Sequence, residues 1–226
     1  MELVIGPGVK ATEKKVRSSL LFADWMKRRD SNWKGTVTVN VADIWKTDRK
    51  IHALYLTVEE KGDPWPVQFI LRTETVDVLT ILTDGIERHI VFVAQYRPAI
   101  SAFVMSNVAG GIEQGETVEG AAEREVRQEI GLEKSIKFSL ERLQQKAVLA
   151  SPGMINERTY LLKATIRVDT KRLAKLLKQL KGKRTGVKQE GEILKTCTRP
   201  DKRAMQFIES QPNPDAKTLL SLSLGL

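Results

Sequence analysis

Two glutamates four residues apart, Glu125 and Glu129, have the spacing that puts two carboxylates on one face of a helix, one turn from each other. Side chains placed in this way can share a cation, and Gln128, three residues after Glu125, points the same way. Such hard oxygen donors suit Mg²⁺ or Mn²⁺, ions that keep several waters and complete their shell with substrate phosphates. Taken alone, the two glutamates would read as an ordinary acid-rich surface helix. They do not stand alone. Gly110, Glu116, Arg124 and Gly131 join them in the pattern Gly-x5-Glu-x7-Arg-Glu-Φ-x-x-Glu-x-Gly-Φ, with Val126 and Leu132 at the apolar positions. With residue types near ~6–7% abundance, the six fixed matches would arise by chance on the order of 10⁻⁵. Gly110 and Gly111 permit a tight loop whose backbone can approach the cations closely.

The elements around this segment must hold it. A helix over residues 116–130 is expected, ended by Gly131 where a helix-terminating glycine belongs. Its Ala122, Val126 and Ile130 form an apolar stripe beside the carboxylates that can dock on a sheet. Strands are expected at residues 36–41, 51–59, 67–71, 76–82, 89–96 and 103–108, with extended chain at 136–150 and 160–166 and a short strand at 192–197. Lys46 to Lys50 reads as a charged turn. Thr83-Asp84-Gly85 turns one strand pair into a hairpin, and the two prolines of Gly62-Asp63-Pro64-Trp65-Pro66 mark a turn. Residues 12–29 read as one helix with Val16, Leu20 and Ala23 inward, and Trp25 and Met26 as candidates for the same face. A last helix starts at Pro214-Asp215 and carries Leu219, Leu220 and Leu222. The mixture predicts an α/β (α+β mixed sheet) class. A boundary near residue 75 divides the chain into an amino-terminal part, residues 1–75, and a catalytic part, residues 76–226. With no flexible linker between them, the two are expected to pack together.

The 226 residues carry a net charge of +9, and eight basic residues with no acidic one lie between Lys171 and Lys188. That field would attract polyanions, nucleotides or RNA. The same stretch also reads as a helix capped by Thr170, with Leu173, Leu176, Leu177 and Leu180 inward and the basic side chains coating its outer face. No stretch approaches the ~18 apolar residues of a membrane span, and the amino terminus has no signal-like apolar region, so an intracellular, unsecreted protein without membrane partners is expected. Lone Cys197 makes no internal disulfide and reads as an inert thiol. His52 and His89 lack metal-ligand spacing, and Ser151 has no nucleophile-elbow context. Trp25, Trp33, Trp45 and Trp65 suit core or dimer packing better than base stacking.

The segment from Gly110 to Leu132 resembles the box of the Nudix hydrolases. Gln95-Tyr96-Arg97-Pro98 is similar to the strand end that precedes the box in the ADP-ribose and nucleotide-sugar pyrophosphatases of that family. Ser151-Pro152-Gly153 with Glu157-Arg158 resembles their later catalytic loop. Gly191-Glu192 and Asp215-Ala216-Lys217-Thr218-Leu219 resemble their carboxy-terminal strand and helix. Ser18-Ser19-Leu20-Leu21-Phe22-Ala23-Asp24-Trp25 and Gly182-Lys183-Arg184-Thr185-Gly186-Val187 are similar to the plant ADP-sugar diphosphatase branch. The resemblance implies an α/β/α sandwich around a mixed sheet, with a small amino-terminal α+β part that builds a homodimer. It implies Glu125 and Glu129 as ligands of Mg²⁺ or Mn²⁺, with the carbonyl of Ala109 completing the shell and Gln128 beside them in the catalytic set. It implies Glu116 paired with Arg124, Gly110 and Gly131 shaping the loop and helix end, Arg97 on the substrate phosphates, and Glu157 orienting or deprotonating water or binding a further metal.

Two departures matter. The family usually has glutamate where this chain has Gln128, and a neutral carbonyl holds a cation more weakly than a carboxylate. Fewer metals, a raised metal requirement or lost catalysis could each follow. Val108 stands where the family usually has proline. The leading expectation is hydrolysis of an ADP-ribose or an ADP- or UDP-sugar to a nucleoside monophosphate and a sugar phosphate. The alternatives are removal of pyrophosphate from RNA 5′ ends, motivated by the basic stretch, and a catalytically silent RNA- or protein-binding subunit, motivated by Gln128.

Overall fold

The computed structural model describes residues 1–29, 36–46, 51–185 and 194–226. Trp33, the charged turn after Lys46 and the segment with Gly186, Gly191 and Glu192 lie outside them. The chain forms two compact units, Met1–Glu74 with Leu149–Arg158, and Thr75–Val148 with Thr159–Leu226.

The first unit contains β1 (Glu2–Ile5), α1 (Glu13–Arg17), α2 (Leu20–Arg29), β2 (Val37–Lys46), β3 (Ile51–Glu60) and β4 (Val67–Arg72). Its sheet runs in the order β1-β2-β3-β4, parallel between β1 and β2 and antiparallel elsewhere. The single helix expected over residues 12–29 is two helices. The Ser19 hydroxyl donates to the Val16 carbonyl at 2.6 Å and accepts the Phe22 N–H at 3.4 Å, so the serine side chain serves backbone groups at the break. The break shifts the phase of α2 relative to α1. Leu21 and Phe22 are buried beside Val16, whereas Leu20 is 48% exposed. Strand β2 also runs past Val41, through an irregularity before Asp43 that keeps it paired with β3 as far as Lys46.

The later segment of this unit lies along β4. The Ile70 N–H donates to the Met154 carbonyl at 2.8 Å, and the Asn156 N–H donates to the Ile70 carbonyl at 3.2 Å. The Asn156 side-chain oxygen accepts the Arg72 N–H at 2.7 Å.

The second unit holds β5 (Thr75–Thr83), β6 (Arg88–Arg97), β7 (Ala102–Ser106), β8 (Val108–Gly111), α3 (Val118–Ile130), β9 (Ser139–Arg142), β10 (Val148–Leu149), β11 (Arg158–Arg167), α4 (Thr170–Leu180), β12 (Arg184–Thr185), β13 (Leu194–Pro200), α5 (Asp201–Glu209) and α6 (Ala216–Gly225). The last residue of β10 and the first of β11 are counted with the first unit. The sheet order is β10-β11-β5-β6-β13-β12, with β7 on β6, β8 on β5 and β9 on β11. It is mixed, because β11 runs parallel to β5 while β6 runs antiparallel to it.

Alternation along β5 explains the layering. Val76, Val78 and Leu82 share a core with Ala122, Val126 and Ile130 of α3 and Leu173 and Leu180 of α4. Leu79 and Ile81, pointing the other way, share one with Ala204 and Ile208 of α5 and Leu222 of α6. Helices therefore cover both faces of a mixed sheet, and the unit is an α/β/α sandwich.

Several boundaries differ from the sequence expectation. Helix α3 starts at Val118, two residues late, because Thr117 is its cap and accepts the Gly120 N–H at 3.0 Å. Helix α4 is capped by Asp169, which accepts the Arg172 N–H at 2.9 Å, while the Thr170 hydroxyl donates to Asp84 at 2.8 Å. Only β9 and β10 are strand within residues 136–150, and α5 is a helix that no expectation covers. No described helix is long and apolar enough to cross a membrane.

Candidate active site

Strand β8 delivers Gly110 and Gly111 to a loop that α3 closes. Gly115 turns the chain with φ of 80°, a conformation that favours glycine. The Glu116 carboxylate accepts the Glu113 N–H at 3.0 Å, so the loop is tied to its own end. Arg124 then grips the same carboxylate, with Nε to Oε1 and Nη2 to Oε2 both at 2.9 Å. Nη2 also donates to the Gly111 carbonyl at 2.7 Å, and Nη1 to Glu125 Oε1 at 2.6 Å. Hydrogen bonding to Glu116 pushes the Arg124 pKa further above its ordinary range. One guanidinium thus joins the loop, the strand end and the helix, which its planar fork of donors suits.

Glu125 and Glu129 are 8% and 5% exposed, although they are carboxylates. Glu129 Oε2 accepts the Ala109 N–H at 3.2 Å. A Cβ added at Gly110 would overlap the Glu125 carboxylate, so glycine is needed there for the strand to approach the helix. Among the described residues no group of three or more His, Cys, Asp or Glu is placed as a cage for a metal. A full protein shell is therefore absent among them, and the donor set is two buried carboxylates beside a strand backbone. That set fits Mg²⁺ or Mn²⁺, which take one or two carboxylates and fill the rest of the shell with water and phosphate oxygens. Gln128 is exposed and accepts Arg124 Nη1 at a long 3.4 Å, apart from the buried pair in its solvent access.

Arg97 ends β6 and is exposed. Val91 and Val93 share the core that contains α3, and strand alternation puts Arg97 on that same face and Tyr96 on the opposite one. The sheet therefore presents Arg97 and the carboxylate helix on one side. Glu157 belongs to the first unit, where its carboxylate pairs with Arg72 at 3.0 Å and is 15% exposed. Gly131 ends α3 with φ of 65°.

A second polar group behind β8 is not legible from motif spacing. Asp77, Asn107, Thr218 and Ser221 are all buried. Burial raises the Asp77 pKa to about 6. The available signal is an aspartate inside the apolar run Val76-Asp77-Val78.

Other side chains are packing residues. Cys197 lies against Met105 sulfur at 3.6 Å, and burial pushes its thiol pKa up. Trp25 contacts Phe22 and Phe69, with ring centres at 5.5 and 5.6 Å.

An α/β/α sandwich with a glycine loop, a braced arginine and two buried glutamates on one helix is the arrangement of a NUDIX domain, and residues 71–174 match that domain family. The matched segment is a little under half of the chain and contains the whole of α3. The chain is 27% identical over 227 residues to Nudix hydrolase 14, chloroplastic, of Arabidopsis thaliana, across 91% of this chain and 70% of that protein. It is 30% identical over 97 residues to the ADP-sugar pyrophosphatase of Mus musculus, across 42% of each. The crystal structure of an ADP compounds hydrolase shares the fold, with a TM-score of 0.55 and 18% identity over 85% of this chain and 92% of that one.

Proposed function

We propose that this protein is a divalent-metal-dependent pyrophosphohydrolase that splits a nucleotide sugar, ADP-ribose or an ADP- or UDP-sugar, into a nucleoside monophosphate and a sugar phosphate. The observation that carries the reading is the pair of buried carboxylates, Glu125 and Glu129, on the α3 face that Gly110 approaches. Two buried carboxylates one helical turn apart repel each other, and a divalent cation placed between them would offset that charge. Glu125, Glu129 and the Ala109 carbonyl would hold Mg²⁺ or Mn²⁺. When bound, the cation offsets charge on the phosphates and favours ionisation of a water. Arg97 binds the substrate phosphates with a fork that matches their oxygens. Glu157 orients the attacking water or takes its proton, and Gln128 supports the site through its neutral carbonyl. The name of the mouse relative, an ADP-sugar pyrophosphatase, supports a nucleotide-sugar substrate.

The test is turnover of a nucleotide-sugar panel with Mg²⁺ or Mn²⁺, beside Glu129→Gln. Release of nucleoside monophosphate by the natural chain and its loss in the variant is the expected result. A folded natural chain that turns over none of the panel at any metal concentration sinks the reading.

A second reading is motivated by exposed Lys171, Lys175, Lys178 and Lys181 along α4, which suit a polyanion such as an RNA 5′ end. It requires RNA binding that salt weakens and that charge reversal at Lys178 and Lys181 weakens further; binding unchanged by those substitutions removes the basic stretch as the reason. We further assign a homodimer built through residues 1–75, supported by exposed Trp45 and Trp65, and a compartment inside the cell. Light scattering and fractionation check these assignments.

A further inference from the structure

The buried polar group behind β8 joins three elements. Asp77 comes from β5, Asn107 from the residue between β7 and β8, and Thr218 and Ser221 from α6. Asp77 Oδ1 accepts the Asn107 side-chain N–H at 2.7 Å and the Ser221 hydroxyl at 2.8 Å. Thr218 Oγ1 accepts the Asn107 backbone N–H at 3.0 Å and donates to Asp215 at 2.8 Å. Asn107 is thus held by both its main chain and its side chain, two residues before Ala109. In the β5:β8 ladder Asp77 stands opposite Ala109, whose N–H reaches Glu129.

This group is a poor way to gain stability. A wholly buried carboxylate is kept in an apolar sheet, and the Asn107 side-chain oxygen is buried with no partner among the described residues. Apolar side chains of similar shape would serve packing better. What the group does achieve is to fix one short stretch of backbone from behind. That stretch is the one whose other face meets the box carboxylates.

We propose that Asp77, Asn107, Thr218 and Ser221 are positioning residues through which α6 sets the place of the Ala109 backbone, and with it the affinity of the site for its divalent cation. The proposal rests on the metal reading of Glu125, Glu129 and Ala109.

Mn²⁺ binding to the full chain, followed by the EPR signal of free Mn²⁺, tests it without any turnover. Thr218→Val removes the acceptor of the Asn107 N–H, and Ser221→Ala is a milder change that leaves Asn107 bonded to Asp77. Each is expected to raise the Mn²⁺ dissociation constant, by about tenfold for Thr218→Val and less for Ser221→Ala. Asp77→Asn keeps an oxygen for both donors and is expected to stay within about threefold of the natural chain. Variants that melt earlier yet bind Mn²⁺ as tightly as the natural chain would overturn the proposal and leave a purely structural role. If Thr218→Val does not fold, Ser221→Ala decides between the same two outcomes. A natural chain that binds no Mn²⁺ overturns the metal reading itself, and that result is visible before any variant is made.

Discussion

Arg124 and Glu116 meet through two parallel hydrogen bonds of 2.9 Å, and the same guanidinium reaches Gly111 and Glu125. Both side chains are mostly covered, at 24% and 18% exposure, so solvent screens the contact only in part. Lysine cannot reproduce the fork. Arg124→Lys is expected to lower stability by about 1–2 kcal/mol, since charge-assisted bonds of this kind contribute more than neutral ones. Urea denaturation monitored by circular dichroism measures it, and an unchanged midpoint would show that the brace is dispensable.

At Gly110 the relevant quantity is room. The Cβ of alanine would overlap the Glu125 carboxylate, which must then rotate away or push the strand back. Gly110→Ala is expected to weaken Mn²⁺ binding by about tenfold or more while the far-ultraviolet spectrum stays native. Titration calorimetry reads the affinity directly.

Gln128 is exposed and only loosely bonded, so restoring the family carboxylate should tune the site and not create it. Gln128→Glu is expected to lower the metal concentration for half-activity, with kcat at saturating metal changed by less than about threefold. Activity appearing from nothing in this variant would favour a silent subunit as the natural state.

Asp77 ties stability to pH. Its folded pKa of about 6 lies above the ordinary 3.8, so the folded chain holds this proton more tightly than the unfolded one. The stabilising contribution is full below about pH 4 and is lost as pH rises through about 6, a difference of about 3 kcal/mol. Asparagine does not titrate. Asp77→Asn is therefore expected to gain stability relative to the natural chain at pH 8 and to show much less gain at pH 4. Denaturation curves at the two pH values give the comparison, and equal gains at both would remove Asp77 as the source.

The features legible in the sequence are local in character. Glu125 and Glu129 announce themselves because helix geometry converts a spacing of four into a shared face, and Gly131 because a left-handed helix end selects glycine. The strands at 76–82 and 89–96 are legible as runs of strand-forming residues, but the face each residue takes is not, because both faces of β5 and the middle of β6 are buried. Sequence reasoning fails where a nearby side chain competes for the same backbone role, as Asp169 does with Thr170 and Ser19 does inside the first helix. Helix α5 escapes it although Pro200-Asp201 is a fair helix start, because its charged first turn hides Ala204 and Ile208. Of the Asp77 group only the aspartate itself shows, as a charge inside an apolar run. Its partners lie 30 and 144 residues away, and no local pattern encodes such distances.

The strip of chain along β4 bears on how this protein is made. Ile70 spends its N–H on Met154 and its carbonyl on Asn156, and the Arg72 N–H is received by Asn156. A nascent chain that has emerged as far as residue 75 therefore carries a sheet whose β4 edge still waits for its partner segment, as the 84-residue separation of Arg72 and Asn156 shows. Until then that edge offers unpaired amides to any neighbouring nascent chain. A fragment cut at residue 75 would carry the same open edge permanently, so a soluble amino-terminal piece for crystallisation or display should include the Met154 strip on a linker.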